Sequence, residues 1–157
     1  MNLITYEQLD GEQRGLVDAA AVAMEGAYNP YSNFFVGAAV LTVDGEKFTG
    51  SNFENGAYGS TMCAERIAAY VAHAEGKRML RTVAIIARGK DFDTEEPTAP
   101  CGSCRQVFKE FRDIGGKDIE FILSTTRKDK IWVASLDALL PGGFGPASLK
   151  IDIGKYR

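Results

Sequence analysis

Hydrophobic and polar residues alternate along the chain, and the period of the alternation changes several times between helical and extended. Apolar residues recur at helical spacing over residues 13–28, which predicts a first helix. Thr5, with Gln8 three residues later, has the capping-box pattern for the start of this helix. Asn29-Pro30 predicts its end, because proline lacks an amide donor and disfavours helix in the residue before it.

A β-hairpin is predicted next. Residues 35–43 are rich in apolar and β-branched side chains, Asp44-Gly45 is a turn signal, and residues 47–53 continue as a second strand. The remaining pattern predicts helices over 62–75, 101–111 and 135–140, and strands over 82–87, 119–124 and 131–133. This order is typical of an α/β fold in which helices cover the faces of a mixed sheet. Because no repeat or low-complexity linker interrupts it, we expect residues 1–157 to form a single domain.

Composition and charge narrow the possible partners. The chain has 157 residues, of which 45% are hydrophobic and 25% charged, values ordinary for one soluble globular domain. The net charge is −3, and because nucleic-acid binding depends on Lys and Arg that neutralise phosphates, we expect no nucleic-acid partner. The first ten residues contain no Lys or Arg and no long apolar run, so they do not resemble a secretory signal. We expect a cytoplasmic protein that is not bound to a membrane.

The cysteines carry the first sign of chemistry. Cys63, Cys101 and Cys104 are three in number, so they cannot all pair within one chain, and in a reducing compartment a metal or catalytic use is favoured over disulfides. Zinc binds thiolates in a tetrahedron, and three protein ligands leave the fourth position for water. Glu65, two residues after Cys63, supplies a carboxylate that can take a proton from that water and return it. The pattern predicts a catalytic zinc site.

A structural interpretation of the same residues stays open. A lone C-x-x-C can be a structural or redox pair, and the metal could stabilise a non-catalytic zinc-binding module. Structural zinc sites are normally closed by four ligands, however, and the chain has no fourth cysteine. His73, the only histidine, lies too far along the predicted second helix to join the cysteines.

At these residues the chain resembles the small, homotetrameric cytidine deaminases of the zinc-dependent, three-cysteine type. The resemblance runs through ordered blocks over most of the chain: NPYSNF (29–34) with VGAA (36–39), GSNFEN (50–55), CAER (63–66), PCGSCRQ (100–106) and LLPGGF (139–144). It implies a three-layer α/β/α sandwich around a five-stranded mixed sheet. It also implies a homotetramer.

The resemblance implies an activity and the residues that perform it. The reaction would be hydrolytic deamination of cytidine and deoxycytidine to uridine and deoxyuridine, with release of ammonia, as in pyrimidine salvage. Cys63, Cys101 and Cys104 would hold one Zn²⁺ per subunit. Glu65 would move protons between the attacking water, the ring N3 and the departing amine. Arg66 would hydrogen-bond the cysteine ligands and offset their negative charge.

The resemblance also implies a nucleoside-binding set. Asn52 and Glu54 are two residues apart on the predicted second strand and would therefore share a face. They match the pair that binds the ribose 3′-hydroxyl, an amide and a carboxylate with complementary hydrogen-bonding roles. Phe34 matches the aromatic residue that packs on the pyrimidine, and Phe144 matches one that a neighbouring subunit supplies to the site.

Two other substrate classes stay open. A deaminase of the same fold could act on another cytosine-containing small molecule such as blasticidin S, although Asn52 and Glu54 argue against it. A deaminase acting on RNA or DNA would share the zinc motif, but the acidic charge balance counts against it. Gly56, Ala57 and Ala99 depart from the family's pattern and bear on substrate preference more than on reaction type.

Overall fold

A computed structural model describes residues 2–157, in which one six-stranded mixed sheet carries helices on both faces. The elements along the chain are β1 (Asn2–Ile4), α1 (Gly11–Met24), β2 (Phe34–Thr42), β3 (Lys47–Ser51), α2 (Ala64–Ala74), β4 (Leu80–Gly89), α3 (Gly102–Gly115), β5 (Glu120–Ser124), β6 (Ile131–Ser135) and α4 (Leu136–Leu139). The predicted helices and strands are all present, with bounds shifted by a few residues.

The strands lie in the order β1-β6-β5-β4-β2-β3. Neighbouring strands are antiparallel except β4 and β5, which are parallel and are joined in the chain by α3. The predicted mixed sheet is confirmed, but it has six strands instead of five. The sixth is β1, whose three residues pair with β6 and are too few to give an alternating pattern.

Two hydrophobic cores lie on the two faces of the sheet. Along β2, Ala38 and Val40 pack with α2 and α3, whereas Ala39 and Leu41 pack with α1. Successive residues of a strand point to opposite faces, and both faces are covered here. The predicted three-layer arrangement is confirmed, and it explains why β2 is a continuous apolar run.

The ends of α1 differ from the prediction. The residue that caps this helix is Asp10, whose Oδ1 accepts from the Gln13 amide at 2.8 Å while the Gln13 side chain accepts from the Asp10 amide at 3.1 Å. The Thr5 amide donates to Gln8 at 2.8 Å, but this bond belongs to a separate 3₁₀ turn. The helix ends at Met24, before Asn29-Pro30: the amides of residues 25–27 bond three residues back, and the backbone of Tyr28 then bonds to residues 52 and 54.

Two glycines allow helices to lie directly on the sheet. A Cβ at Gly37 would lie 2.0 Å from the Ala20 carbonyl oxygen of α1. A Cβ at Gly50 would lie 2.6 Å from the Ala64 carbonyl oxygen, in the first turn of α2. Glycine is therefore required at both positions, and Gly50 fixes the height of the start of α2 above β3. Within residues 2–157, none of the helices has the length and apolar character needed to cross a bilayer.

Candidate metal centre and substrate cavity

The starts of two helices bring the three cysteines together. Cys63 is the N-cap residue of α2, Cys101 is the N-cap residue of α3, and Cys104 lies in the first turn of α3. Their Sγ atoms all lie within 4.8 Å of one another, and those of Cys101 and Cys104 are 3.4 Å apart. This is the convergence that the sequence spacing predicts.

The donor set fits zinc. Tetrahedral Zn²⁺ with bonds of about 2.3 Å to sulfur holds its ligand sulfurs about 3.8 Å apart, a spacing compatible with the cluster. Backbone amides at a helix N-terminus favour negative charge, and here two helices begin at the sulfurs. The sulfurs are three in number, so a bound ion would keep a fourth coordination position for a ligand from outside the chain.

Cys63 and Cys104 are neighbours whose pKa values shift in opposite directions. A hydrogen bond from Cys104 lowers the pKa of Cys63, and the neighbouring Arg66 lowers it further. The same hydrogen bond raises the pKa of Cys104, as do the burial of this residue and the charge of Glu65. A metal ion bound to these cysteines would displace the remaining thiol protons, because only the thiolate coordinates.

Arg66 is the positive charge closest to this cluster among the contacts of the site. Its Nη2 lies 3.8 Å from the Cys63 sulfur and donates to the Thr61 carbonyl oxygen at 3.1 Å. Its Nε is buried and has no hydrogen-bond partner among residues 2–157. Three thiolates around a divalent ion would leave a net negative charge, and the Arg66 guanidinium is placed to balance it.

Glu65 shares a cavity with Cys63. Residues two apart on an ideal helix point about 200° away from each other. The backbone of Cys63 is extended, however, with φ −73° and ψ 149°, so the ideal relation does not apply to this pair. The Glu65 residue is only 4% exposed. A buried carboxylate thus lies beside the candidate metal ligands, a position from which it could transfer protons.

The cavity has a volume of about 290 Å³ and lies between β2, the start of α2 and the loop before α3. Its lining includes all but three of the predicted site residues; the full set is Ser32, Phe34, Val36, Asn52, Glu54, Thr61, Met62, Cys63, Glu65, Ile85, Thr98, Ala99 and Cys101. Cys104 and Arg66 lie behind the cavity wall, in contact with Cys63. Phe144 is outside it.

Asn52 lies just beyond β3, which ends at Ser51 and not at the predicted residue 53. Its side-chain amide continues the sheet in place of a backbone: Oδ1 accepts from the Val36 amide at 2.9 Å, and Nδ2 donates to the Phe34 carbonyl oxygen at 2.9 Å. One N–H of this amide is left for a ligand. Asn52 therefore both shapes the start of β2 and lines the cavity.

The Glu54 carboxylate is held by backbone amides. Its Oε2 accepts from the Tyr31 amide at 2.9 Å and from the Ser32 amide at 3.2 Å. A hydrogen bond from the Ser32 side chain, together with these amides, lowers the pKa of Glu54 despite its burial. The carboxylate is therefore ionised at neutral pH, with lone pairs left to accept from a hydroxyl group.

Phe144 lies in the segment after α4 and is 60% exposed. The Gln106 side chain of α3 donates to its carbonyl oxygen at 2.9 Å, which fixes the backbone. The aromatic ring does not reach the cavity of its own chain.

Several lining residues were not predicted. Val36 could have been found, because it lies two residues after Phe34 on β2 and so shares its face. Ile85 pairs with Ala38 of β2 and lies on the same face. Thr61, Thr98 and Ser32 lie in irregular segments, where no periodicity marks a lining position.

A larger cavity, of about 510 Å³, lies elsewhere, between α2, α3 and the C-terminal segment. Its lining is mainly apolar and contains none of the predicted site residues. His73 lies in this cavity and accepts a hydrogen bond from Arg78 at 3.1 Å. The histidine is therefore directed away from the cysteines.

Comparisons with known proteins agree with this geometry. Residues 11–116 match the model of the family described as cytidine and deoxycytidylate deaminase zinc-binding region. The cytidine deaminase of Halalkalibacterium halodurans is 42% identical over 133 residues, which cover 85% of this chain and 94% of that protein. The cytidine deaminase of Sporosarcina psychrophila is 42% identical over 134 residues, covering 85% and 92%. The crystal structure of cytidine deaminase from Burkholderia pseudomallei has a TM-score of 0.74 and 43% identity, covering 83% of this chain and 97% of that one.

Proposed function

Because the chain belongs to the cytidine and deoxycytidylate deaminase family, we propose that it catalyses the zinc-dependent hydrolysis of cytidine and deoxycytidine to uridine and deoxyuridine, with release of ammonia. The observation that carries the proposal is one cavity lined by Glu65, Glu54 and two of the clustered cysteines. That cavity combines a proton carrier, a hydroxyl acceptor and a metal centre. The relatives named above do not favour blasticidin S as the substrate.

Cys63, Cys101 and Cys104 would hold the zinc ion. When bound, zinc acts as a Lewis acid that makes water acidic enough to be deprotonated near neutral pH. Arg66 keeps the sulfurs from weakening this effect, because its hydrogen bond draws negative charge away from Cys63. An Arg66 without this contact would leave a more electron-rich sulfur and a poorer Lewis acid.

Glu65 would transfer the protons. Its carboxylate takes a proton from the attacking water and delivers it to N3 of the pyrimidine, so that oxygen adds to C4. Glu65 then moves the second proton of that water to the 4-amino group. The bond between C4 and the amino nitrogen breaks, ammonia leaves, and the ring becomes that of uridine. The low exposure of Glu65 protects these transfers from bulk water.

Glu54, Asn52 and Phe34 would bind the nucleoside. The Glu54 carboxylate accepts from the ribose 3′-hydroxyl, while the remaining N–H of Asn52 donates to the same group. Phe34 packs on the pyrimidine ring. A cavity of about 290 Å³ suits a free nucleoside better than a polymer.

We further propose a homotetramer in which Phe144 completes the cavity of a neighbouring subunit. This ring is exposed and lies outside its own cavity, and Cys101 is exposed in the isolated chain. Residues 1–157 would act as one catalytic unit, since both cores pack on a single sheet. A cytoplasmic location stays a prediction.

The decisive experiment follows the ultraviolet absorbance of cytidine with purified, zinc-loaded protein, and measures zinc per chain in the same samples. We expect loss of the cytidine band with the wild type. Glu65→Gln should keep zinc and lose about 10²- to 10⁴-fold in rate. Glu75→Gln, at the exposed end of the same helix, is the matched control and should behave as wild type. Bound zinc without turnover of cytidine or deoxycytidine would overturn the proposal.

A further inference from the structure

The segment that follows β4 folds back along the end of that strand. The Gly89 amide donates to the Phe92 carbonyl oxygen at 2.9 Å, and Arg88 forms an antiparallel bridge with Asp93. The Thr94 hydroxyl donates to the Ala87 carbonyl oxygen at 3.3 Å. Residues 92–94 therefore run beside residues 87–89, on the side of β4 away from β2.

This return places the Phe92 ring above Gly89. A Cβ at Gly89 would lie only 2.0 Å from Cε1 of Phe92, so the ring fills the space that a side chain at Gly89 would need. Gly89 is paired directly with Phe34 of β2. Since opposite residues of an antiparallel pair point to the same face, the Phe92 ring stands on the face of the sheet that carries Phe34.

Phe34 lines the catalytic cavity at the end of β2. The position next to it across the sheet is a glycine, which would leave open space beside the Phe34 ring if nothing else occupied it. An aromatic side chain at a strand end can change its χ1 rotamer into such a space. The Phe92 ring stands over this glycine, where a side chain at residue 89 would otherwise lie.

The loop that carries Phe92 is anchored by hydrogen bonds to the segment between β5 and β6. The Thr126 hydroxyl donates to Asp93 at 2.5 Å, and the Lys130 ammonium donates to the Glu95 carbonyl oxygen at 3.0 Å. Phe92 itself is 63% exposed and does not line the cavity. Its ring thus contributes little to the core, and its main structural role is to cover Gly89.

We propose that Phe92 is a positioning residue, which fills the space above Gly89 and thereby confines the Phe34 ring to the wall of the substrate cavity. The inference rests on the proposed function, because Phe34 matters there as the surface on which the pyrimidine packs. Phe92 does not touch the substrate. Its effect is on nucleoside binding and not on proton transfer by Glu65.

The test compares steady-state kinetics of Phe92→Ala, Phe92→Tyr and Glu95→Ala with wild type. Phe92→Ala should raise KM for cytidine about 3- to 10-fold, the range expected when the pyrimidine loses its packing on the Phe34 ring. The value of kcat should stay within about twofold of wild type. Phe92→Tyr keeps the ring and should restore the wild-type KM. Glu95→Ala changes an exposed side chain of the same loop and should leave KM unchanged. Uridine binding, measured by calorimetry, should weaken in Phe92→Ala by the same factor as KM rises.

Two further measurements separate positioning from other roles. In a Phe34→Leu background, Phe92→Ala should have little additional effect, because no ring is left to confine. A crystal structure of Phe92→Ala should have the Phe34 ring turned toward Gly89 or spread over two rotamers. An unchanged KM, additive effects with Phe34→Leu, or an unmoved Phe34 ring would each overturn the inference. If wild type fails to deaminate cytidine, the proposed function fails, and the crystal structure still decides whether Phe92 confines Phe34.

Discussion

The Arg66 guanidinium lies 3.8 Å from the Cys63 sulfur and donates from the same Nη2 to the Thr61 carbonyl oxygen. One side chain therefore joins the segment before α2 to a candidate metal ligand. It carries the positive charge that a cluster of thiolates lacks. Arg66 is neither a candidate metal ligand nor the proposed proton carrier, so its substitution tests electronic tuning separately from ligation and proton transfer.

Substitution of Arg66 by Gln should lower activity or zinc affinity about 10- to 100-fold, because hydrogen-bond partners of metal ligands typically contribute this much. Arg66→Lys keeps the charge but not the paired donors, so its activity and zinc affinity should lie between those of Arg66→Gln and wild type. Cytidine turnover at saturating zinc, together with zinc competition by a chelator, measures both effects. Arg81→Gln, an exposed arginine on β4, serves as the control. Wild-type values for both quantities in Arg66→Gln would remove the proposed role.

The lowered pKa of Glu54 predicts a pH dependence of stability. A carboxyl group whose pKa is lower in the folded than in the unfolded chain stabilises the fold above its unfolded pKa, and this contribution disappears as the pH falls through its folded pKa. The difference in unfolding free energy between wild type and Glu54→Gln should therefore be largest near neutral pH and shrink below the ordinary value of 4.5. Urea denaturation at several pH values between about 7 and 3 measures it.

Glu75→Gln, which changes an exposed carboxylate at the end of α2, is the control. Its unfolding free energy should match that of wild type across this pH range. A constant difference between wild type and Glu54→Gln across the whole pH range would contradict the assignment.

Gly50→Ala tests how closely α2 must approach the sheet. The new Cβ would lie 2.6 Å from backbone atoms of Ala64 and Ala68, and backbone cannot move aside without moving the helix. We expect a loss of about 1–3 kcal/mol in stability from overpacking. Activity should fall further, because the start of α2 carries Cys63 and Glu65.

Gly59→Ala is the matched control for this change, since a Cβ there meets no atom within 4 Å. Denaturation midpoints and cytidine turnover should be measured on both variants. Equal denaturation midpoints and equal turnover for Gly50→Ala and Gly59→Ala would show that the close approach of α2 to β3 affects neither stability nor activity.

Phe144→Ala tests whether a neighbouring chain completes the site. Because the ring is 60% exposed in the single chain, its removal should leave the unfolding free energy of a dissociated chain nearly unchanged. In the assembled protein it should raise KM for cytidine, and light scattering should give the mass of a tetramer for wild type. Leu149→Ala, which removes a residue of similar exposure from the same C-terminal region, is the comparison. A monomeric wild type with full activity would exclude the shared site.

The metal chemistry could be predicted from sequence because it depends on residue type and local spacing. The Cys101-x-x-Cys104 pair fits within one helix turn, and Cys63 precedes a clear helical pattern. The extended N-cap conformation of Cys63, which lets Glu65 share its cavity, is also a local property of a helix start.

Other features could not be predicted because tertiary contacts decide them. The course of the chain after α1 depends on backbone hydrogen bonds that join Tyr28 to Asn52 and Glu54, which lie on another segment. Strand β1 exists because β6 offers an unpaired edge, and its own residues carry no signal. The double role of Asn52, as a substitute for strand backbone and as cavity lining, requires knowledge of which strand lies next to it.

The candidate zinc ligands come from the starts of two helices that lie far apart in the chain, with Cys63 on one side and the Cys101/Cys104 pair on the other. An ion bound to all three would close the intervening chain, which contains the whole of β4, into a loop. An ion that binds only the folded protein stabilises it. By holding the two ends of this loop together, the ion also acts as a removable cross-link between α2 and α3. Zinc affinity and the unfolding free energy of the sandwich are then linked, because tighter binding of the ion stabilises the folded chain further at the same zinc concentration.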